Sequence, residues 1–358
     1  VHNRGAMLEA PLLFFSSAVI LCALFLLLEG KRMKQWKLRI MSILFGISLA
    51  AAITTKMLAL VFLLLLVPIV YVLLPQWKKI GAFVLYAFLS FAIIFVAVWQ
   101  THFALGSRIE PALLSDGFYG ASPAYRALQQ EGRNVSLVAF PRMLTDSLRF
   151  MKENNAGVPR LDLCKPDENG SPFFFWPFGG RSINYRWQSA DGGATRYLYL
   201  QVNPMVWLAG FTGVILSFTL ITSSLFFPLQ KKMEKRMLLL TFLGLYATYM
   251  IAISQIDRVM YLYHYFLPLL FSFILFAIVF TEMRTIGRHK LTEHTKLLSL
   301  LLIAAGIFLS YQFYRPLTYF EPLTDKQVSN RAIVPLWELT CVHCPRENSL
   351  AIPREKCT

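Results

Sequence analysis

At 358 residues the chain has the length of one to three soluble domains, but 56% of its residues are apolar, 15% are charged, and the mean hydropathy is +0.51. Soluble globular chains carry about 25% charged residues, so much of this surface has no need of water. A soluble enzyme, a disordered chain and a nucleic-acid-binding protein are excluded. The net charge of +15 takes its meaning from where the basic residues lie.

A membrane-crossing helix needs about 20 mostly apolar residues. Eight such stretches follow one another, at approximately 10–28, 38–55, 57–74, 81–99, 204–227, 237–254, 259–280 and 297–314. The second and third are joined by Thr54-Thr55-Lys56 and read as a tight helical hairpin. The expected fold is an all-α polytopic membrane bundle of about eight transmembrane helices. The expected organisation is four helices in 1–99, a large insert over 100–203, four helices in 204–314 and a tail over 315–358. The chain starts at Val1, directly before an apolar span and without a signal-peptide pattern, which predicts a fragment of a longer protein.

Loops on alternate sides of these spans differ sharply in charge. One set carries Lys31, Arg32, Lys34, Lys37, Arg39, Lys78, Lys79, Lys231, Lys232, Lys235, Arg236, Arg284, Arg288, Lys290 and Lys296; the short loops of the other set carry only Lys56 and Arg258. Basic residues near span ends stay cytoplasmic. The first set is therefore inside, and the 54–57 turn, the insert, the 255–258 turn and the tail face outward. Most of the positive charge is topological, and no nucleic-acid role is assigned.

Within the insert, Leu137, Phe140, Leu144, Leu148 and Met151 recur at helical spacing over 136–153, with Pro141 suited to the first turn. Arg142, Asp146, Arg149 and Lys152 fall on the other face. This reads as an interfacial helix on the membrane, or as one packed on the rest of the insert. An aromatic turn follows, Ser171-Pro-Phe-Phe-Phe-Trp-Pro-Phe-Gly-Gly-Arg181, then Ile183-Asn-Tyr185. Aromatic rings settle at the membrane boundary, and an arginine beside them is a bidentate donor suited to a phosphate.

The outward charges form the candidate site. Lys56, Arg181 and Arg258 are the candidate phosphate ligands; Arg4, Glu9, Tyr185, Tyr263 and His264 are supporting candidates. Each also has an ordinary reading: Lys56 snorkelling, Arg258 paired with Asp257, His264 bonded to a carbonyl. Several cations at one membrane face favour an anion site. Of the five cysteines, Cys164, Cys341, Cys344 and Cys357 lie on the oxidising side, so at least one disulfide is expected among them, ahead of a metal site at Cys341-Val-His-Cys344.

These segments resemble the protein O-mannosyltransferases, polyprenyl- or dolichyl-phosphate-mannose-dependent enzymes of glycosyltransferase family 39 with the GT-C fold. Arg4-x-x-Met-Leu-Glu9, Thr55-Lys56, Ser171 to Arg181, Asn203-Pro204-x-x-Trp207 and Arg258-x-x-Tyr-x-Tyr-His264-Tyr-x-x-Pro268 match family segments in family order. Glu9 replaces an aspartate, and Phe174 and Phe175 replace tryptophans. The resemblance implies a bacterial-type, N-terminally truncated member whose eight spans correspond to the last eight of eleven. The catalytic acidic pair is then expected upstream of Val1. It further implies transfer of a hexose, mannose in the family, from a polyprenyl-phosphate sugar to Ser/Thr hydroxyls of exported proteins at the extracytoplasmic face of a bacterial inner membrane. The donor is already activated, so neither cofactor nor metal is expected. A GT-C transferase acting on a lipid or glycan, a transporter and a non-catalytic scaffold are the alternatives. Transporters bury polar groups at mid-membrane, whereas these gather at the outer edge.

Reporter fusions test the orientation. Those at 33, 232 and 290 are expected to be cytoplasmic and those at 130 and 340 extracytoplasmic; an extracytoplasmic reporter at 232 would overturn it.

Overall fold

The computed structural model describes residues 8–106, 122–164, 168–227, 233–286, 289–342 and 344. The chain is an all-α polytopic membrane protein. Among the described residues, seven helices are long and apolar enough to cross a membrane: α1 (Glu9–Glu29), α2 (Gln35–Thr55), α4 (Trp77–Leu105), α7 (Pro204–Phe226), α8 (Arg236–Ser254), α9 (Phe266–Glu282, led by a 3₁₀ turn Leu262–Tyr265) and α10 (Glu293–Tyr319). The expected eighth span is α3 (Met57–Leu73), of which the first nine residues form a 3₁₀ helix and the last eight an α-helix. A 3₁₀ helix rises about 2.0 Å per residue against 1.5 Å for an α-helix, so these 17 residues reach about 30 Å, the thickness of a bilayer's hydrocarbon core.

The chain divides into two compact units, one of residues 11–159 and one of residues 1–10 with 160–358. The expected insert is thus split between them. In the first unit α4 continues to Leu105, beyond the boundary expected at 99. Small residues set the approach of α2 to α4: a side chain at Gly46 would strike the Ala87 carbonyl and the Ser90 hydroxyl. After α4 come α5 (Pro123–Gln130), capped by the Ser122 hydroxyl, and α6 (Phe140–Gly157), with Pro141 in its first turn. Met143, Phe140 and Leu144 of α6 close a small core with Phe103 and Leu128, so part of its apolar side is packed on protein, while Leu137 just before it and Leu148 within it stay exposed.

The second unit combines α7 to α10 with a three-stranded antiparallel sheet. Its strands are β1 (Ile183–Ser189), β2 (Thr195–Leu200) and β5 (Pro322–Leu323), in the order β1-β2-β5. A short hairpin, β3 (Thr285–Ile286) with β4 (His289–Lys290), joins α9 to α10, and α11 (Asp325–Ser329) follows β5. Asn203 starts α7 by accepting from the N–H groups of Met205 and Val206, with Pro204 at the first helical position; its amide also donates to the Ile307 carbonyl of α10 at 3.0 Å. Gly210, Gly213 and Ser217 lie buried along one face of α7, where Ser272 and Phe276 of α9 leave no room for a larger residue at either glycine.

Close approach at Gly46 has a measurable consequence. Gly46→Val forces the α2–α4 contact apart and is expected to lower stability by about 1–3 kcal/mol. Gly81→Ala, in the same α4 but with open space around it, is expected to be neutral or to stabilise by about 0.5–1 kcal/mol. Thermal unfolding of both variants in detergent checks the pair; equal effects would show that the glycine contact does not set this packing.

Candidate functional site

The aromatic turn is built by its own hydrogen bonds. Phe173–Phe178 forms a 3₁₀ turn that ends at Gly179, whose left-handed backbone (φ 73°) favours glycine. The Trp176 indole N–H donates to the Ser171 carbonyl at 3.1 Å, and the Ser171 hydroxyl donates to the Gly180 carbonyl at 2.8 Å. Two outside anchors fix the turn. Ser171 N–H donates to the Met260 carbonyl at 2.7 Å, and the Trp207 indole on α7 donates to the Trp176 carbonyl at 2.9 Å.

Arg181 closes the turn from within. It is buried, its Nε–H donates to Glu338 at 2.9 Å, Nη1 donates to the Gly170 carbonyl at 2.6 Å and Nη2 to the Glu168 carbonyl at 2.7 Å. A guanidinium already matched by a carboxylate and two carbonyls is a structural clasp. These bonds give Arg181 a structural role and say nothing of the phosphate contact expected of it. The residue segment on the other side of the clasp is the tail: Arg181 and Ser182 N–H groups donate to the Leu336 and Trp337 carbonyls, and the Trp337 indole donates to the Phe178 carbonyl at 2.9 Å. Further along, Tyr199 donates to the Thr340 carbonyl, and the Tyr197 hydroxyl accepts from Val342 N–H. Glu338 and Trp337 carried no signal in the sequence, because their partners lie more than 150 residues away.

Trp176 backs onto the turn that opens α9. Its ring lies near-parallel to His264, at 6.1 Å between centroids, and His264 stacks in turn on Tyr263 at 4.5 Å. His264 is buried, and its Nδ1 sits 3.2 Å from the N–H and 3.0 Å from the carbonyl of Tyr261, its tautomer deciding which it bonds. Tyrosines of α8 hold the turn from below: Tyr249 donates to the His264 carbonyl at 2.7 Å, and the Tyr246 and Tyr265 hydroxyls bond at 3.0 Å.

Tyr185 is the extra residue of a β-bulge. Asn184 pairs with Tyr199 and Arg186 with Leu198, leaving Tyr185 without an opposite residue. Bulges re-aim side chains, and this one brings the Tyr185 phenol into electrostatic range of Tyr263 and of the buried Glu9 carboxylate. Burial pushes the Tyr185 phenol up, and the neighbouring Tyr263 and Glu9 add to that rise. Tyr263 also feels Glu9 and Arg258. Glu9, Tyr185, Tyr263 and Arg258 are therefore assembled in one unit.

Arg258 differs from Arg181. Its neighbour Asp257 pairs with Arg160 at 2.6 Å, so the expected alternative, Arg258 with Asp257, is not what forms. The Arg258 Nε is buried and without a hydrogen-bond partner. A buried polar atom left unmatched in a native fold calls for an explanation, and a ligand is one. Lys56 caps the end of α2 in the other unit, its N–H bonded to the Ala52 carbonyl. Arg4 lies outside the described residues. Cys341 and Cys344 form a disulfide, Cys164 is disulfide-bonded as well, Cys22 is a free buried thiol, and Cys357 lies outside the described residues. Asp325 approaches Cys341 and Cys344, but the two sulfurs are bonded to each other.

The model of the C-terminal four-transmembrane region of protein O-mannosyltransferase matches residues 142–337, more than half of the chain, and that of dolichyl-phosphate-mannose-protein mannosyltransferase matches residues 1–105. The chain belongs to the protein O-mannosyltransferase family. Both family segments contain parts of the assembled cluster, Glu9 in the first and Tyr185, Arg258 and Tyr263 in the second. The chain is also similar to the solved S. cerevisiae protein O-mannosyltransferase Pmt1-Pmt2 complex bound to the sugar donor, at 20% identity and a TM-score of 0.44. That match covers 56% of this chain and 27% of the solved one. No curated protein matches.

The clasp predicts unequal costs at one position. Arg181→Ala removes one partner of a largely buried pair and leaves an alanine in the left-handed region, where Arg181 itself sits at φ 62°. A loss on the order of 3 kcal/mol is expected. Arg181→Gly is expected to lose about 1 kcal/mol less, since glycine adopts that backbone freely. Unfolding in detergent followed by tryptophan fluorescence measures both; equal losses would show that backbone strain plays no part.

Proposed function

We propose that the protein carrying this chain is a glycosyltransferase that moves mannose from a polyprenyl-phosphate donor to Ser or Thr hydroxyls of exported proteins. Its site is placed on the extracytoplasmic face of a bacterial inner membrane. The observation that carries the reading is the match of both family segments together with the unpartnered Nε of Arg258, which acts electrostatically on Tyr263, itself in range of Glu9 and Tyr185.

The chemistry suits these residues. In an inverting displacement the acceptor oxygen attacks the anomeric carbon and gives up its hydroxyl proton to a general base, the bond from that carbon to the phosphate oxygen breaks, and the phosphate leaves on its lipid. The charge that develops on the phosphate is best met by a fixed, desolvated cation. Arg258 has a donor held ready for it. Glu9 and the phenols of Tyr185 and Tyr263 suit the hydroxyls of a sugar, and the stacked Tyr263–His264–Trp176 rings form a rigid wall behind them. Lys56 is retained as a second cationic candidate on the strength of its turn alone, and Arg181 holds the wall in place without touching the donor.

Membranes containing the full-length protein, supplied with polyprenyl-phosphate-[³H]mannose and a Ser/Thr-rich peptide, test the proposal. Peptide-bound label that mild alkali releases is the expected product. A charged hydrogen bond contributes about 1.5–3 kcal/mol, so Arg258→Ala is expected to lower turnover roughly 10- to 150-fold, and Arg258→Lys to restore part of it. Absence of label in peptide from wild-type membranes would sink the assigned reaction. Wild-type turnover by Arg258→Ala would remove that residue from the site.

A further inference from the structure

The loop joining α1 to α2, in the unit of residues 11–159, carries a feature separate from the aromatic cluster. A groove of about 600 Å³ opens beside it, with Arg32 and Lys34 from the loop and Trp36 and Lys37 from the first turn of α2 among its walls. Glu29 is the one acidic residue there, so the rim carries a net charge of +2. Arg32, Lys34 and Lys37 are all exposed, and none makes an ion pair among the described residues. Lys37 lies 5.5 Å from the centre of the Trp36 ring. Lys79 of α4 behaves differently: its ammonium donates to the Lys31 carbonyl at 2.7 Å and the Gly30 carbonyl at 3.3 Å, pinning the loop and leaving the rim cations to face the groove.

Polarity changes with depth. Phe25 on α1 is one turn further from the loop than Glu29, and Ile40 on α2 is just under one turn further than Lys37, which puts them roughly 6 and 4.5 Å deeper. They line the same groove and are exposed, at 48% and 45%. Because α1 and α2 are membrane-crossing helices, these apolar walls belong to the hydrocarbon side and the cations to the headgroup side. Trp36, 57% exposed, shares the first turn of α2 with Lys37 and lines the same groove, and indole rings settle at the bilayer boundary.

We propose that this groove is a binding site for an anionic phospholipid. The phosphate sits among Arg32, Lys34 and Lys37, the glycerol ester region lies beside Trp36, and one acyl chain runs along Phe25 and Ile40. A free phosphate would leave the apolar walls uncovered, and a zwitterionic lipid would bring a cation into a rim that is already positive. Whichever leaflet the loop faces, the site selects by headgroup charge and acyl contact together.

Full-length protein purified in detergent, incubated with phosphatidylglycerol and read by native mass spectrometry, tests the assignment. Each basic residue near a membrane surface contributes about fivefold in affinity, so the triple variant Arg32→Gln, Lys34→Gln, Lys37→Gln is expected to retain roughly a hundredfold less lipid. A matched variant of other loop cations, Arg284→Gln, Lys290→Gln, Lys296→Gln, is expected to stay within about twofold of wild type. Ile40→Ala should weaken retention of phosphatidylglycerol. Should the triple variant fail to fold, Lys34→Glu alone is expected to cost at least fivefold, with the loss shrinking at high salt. Equal retention of phosphatidylcholine, equal loss in both triple variants, or complete displacement of lipid by millimolar inorganic phosphate would overturn the proposal.

Discussion

The ion pair between Arg181 and Glu338 is the contact on which the second unit's architecture depends. It joins residues 157 apart in sequence, and both partners have a left-handed backbone, at φ 62° and 49°. Residues other than glycine avoid that region at a cost of order 1–3 kcal/mol each, and they hold it only where the surroundings over-determine it. Here the surroundings do. The charge pair, two carbonyl acceptors for the guanidinium and the backbone bonds from Arg181 and Ser182 to Leu336 and Trp337 all converge on the same few residues. Breaking the pair would release the tail, and with it the indole of Trp337 that holds the carbonyl of Phe178.

From that clasp the order runs inward to the site. A fixed Arg181 fixes Gly180 and Ser171, Ser171 fixes Trp176, and Trp176 forms the surface against which His264 lies. The two arginines of the unit illustrate opposite uses of one side chain. Arg181 has a carboxylate and two carbonyls around it and serves as structure. Arg258, whose neighbouring carboxylate is taken by Arg160, keeps a buried Nε without a partner, the feature on which its proposed role as a receptor for charge rests. In a low-dielectric setting an unmatched donor of this kind is costly when empty and strong when filled.

The helices and their order were legible because lipid imposes one rule on every span: about 20 apolar residues with all backbone groups bonded internally. The site was legible in composition and only partly in geometry. Arg258, Tyr263 and His264 lie within seven residues, and a local motif could bring them together. Tyr185 reaches the same cluster through a bulge in β1, which depends on the register with β2 and has no periodic signature. Arg181 was read as a phosphate ligand because an arginine beside a rigid aromatic turn suits that role; the residue it pairs with, Glu338, comes from a tail without hydrophobic periodicity. The expected third span, Met57–Leu73, is another such case. Seventeen residues are few for an α-helix to cross a bilayer, and the 3₁₀ rise of the first nine lengthens the segment.

The disulfide just beyond Glu338 acts on this clasp more than on the fold as a whole. Cys341 and Cys344 close a loop of four residues, and on the chain-entropy account so small a loop contributes about 2 kcal/mol, against nearly 5 for one of a hundred residues. Its effect is therefore local. The segment before it, residues 336–342, is the one that meets Arg181, Ser182, Phe178, Tyr199 and Tyr197 in succession. Apart from the 3₁₀ turn Pro335–Trp337, those bonds come from a stretch with no regular structure to propagate its order. A covalent closure there limits how far Val342 and Thr340, and with them Glu338, can move from their partners. The covalent bond thus supports the ion pair, and the ion pair in turn keeps the aromatic wall rigid behind the cluster of Glu9, Tyr185, Tyr263 and Arg258.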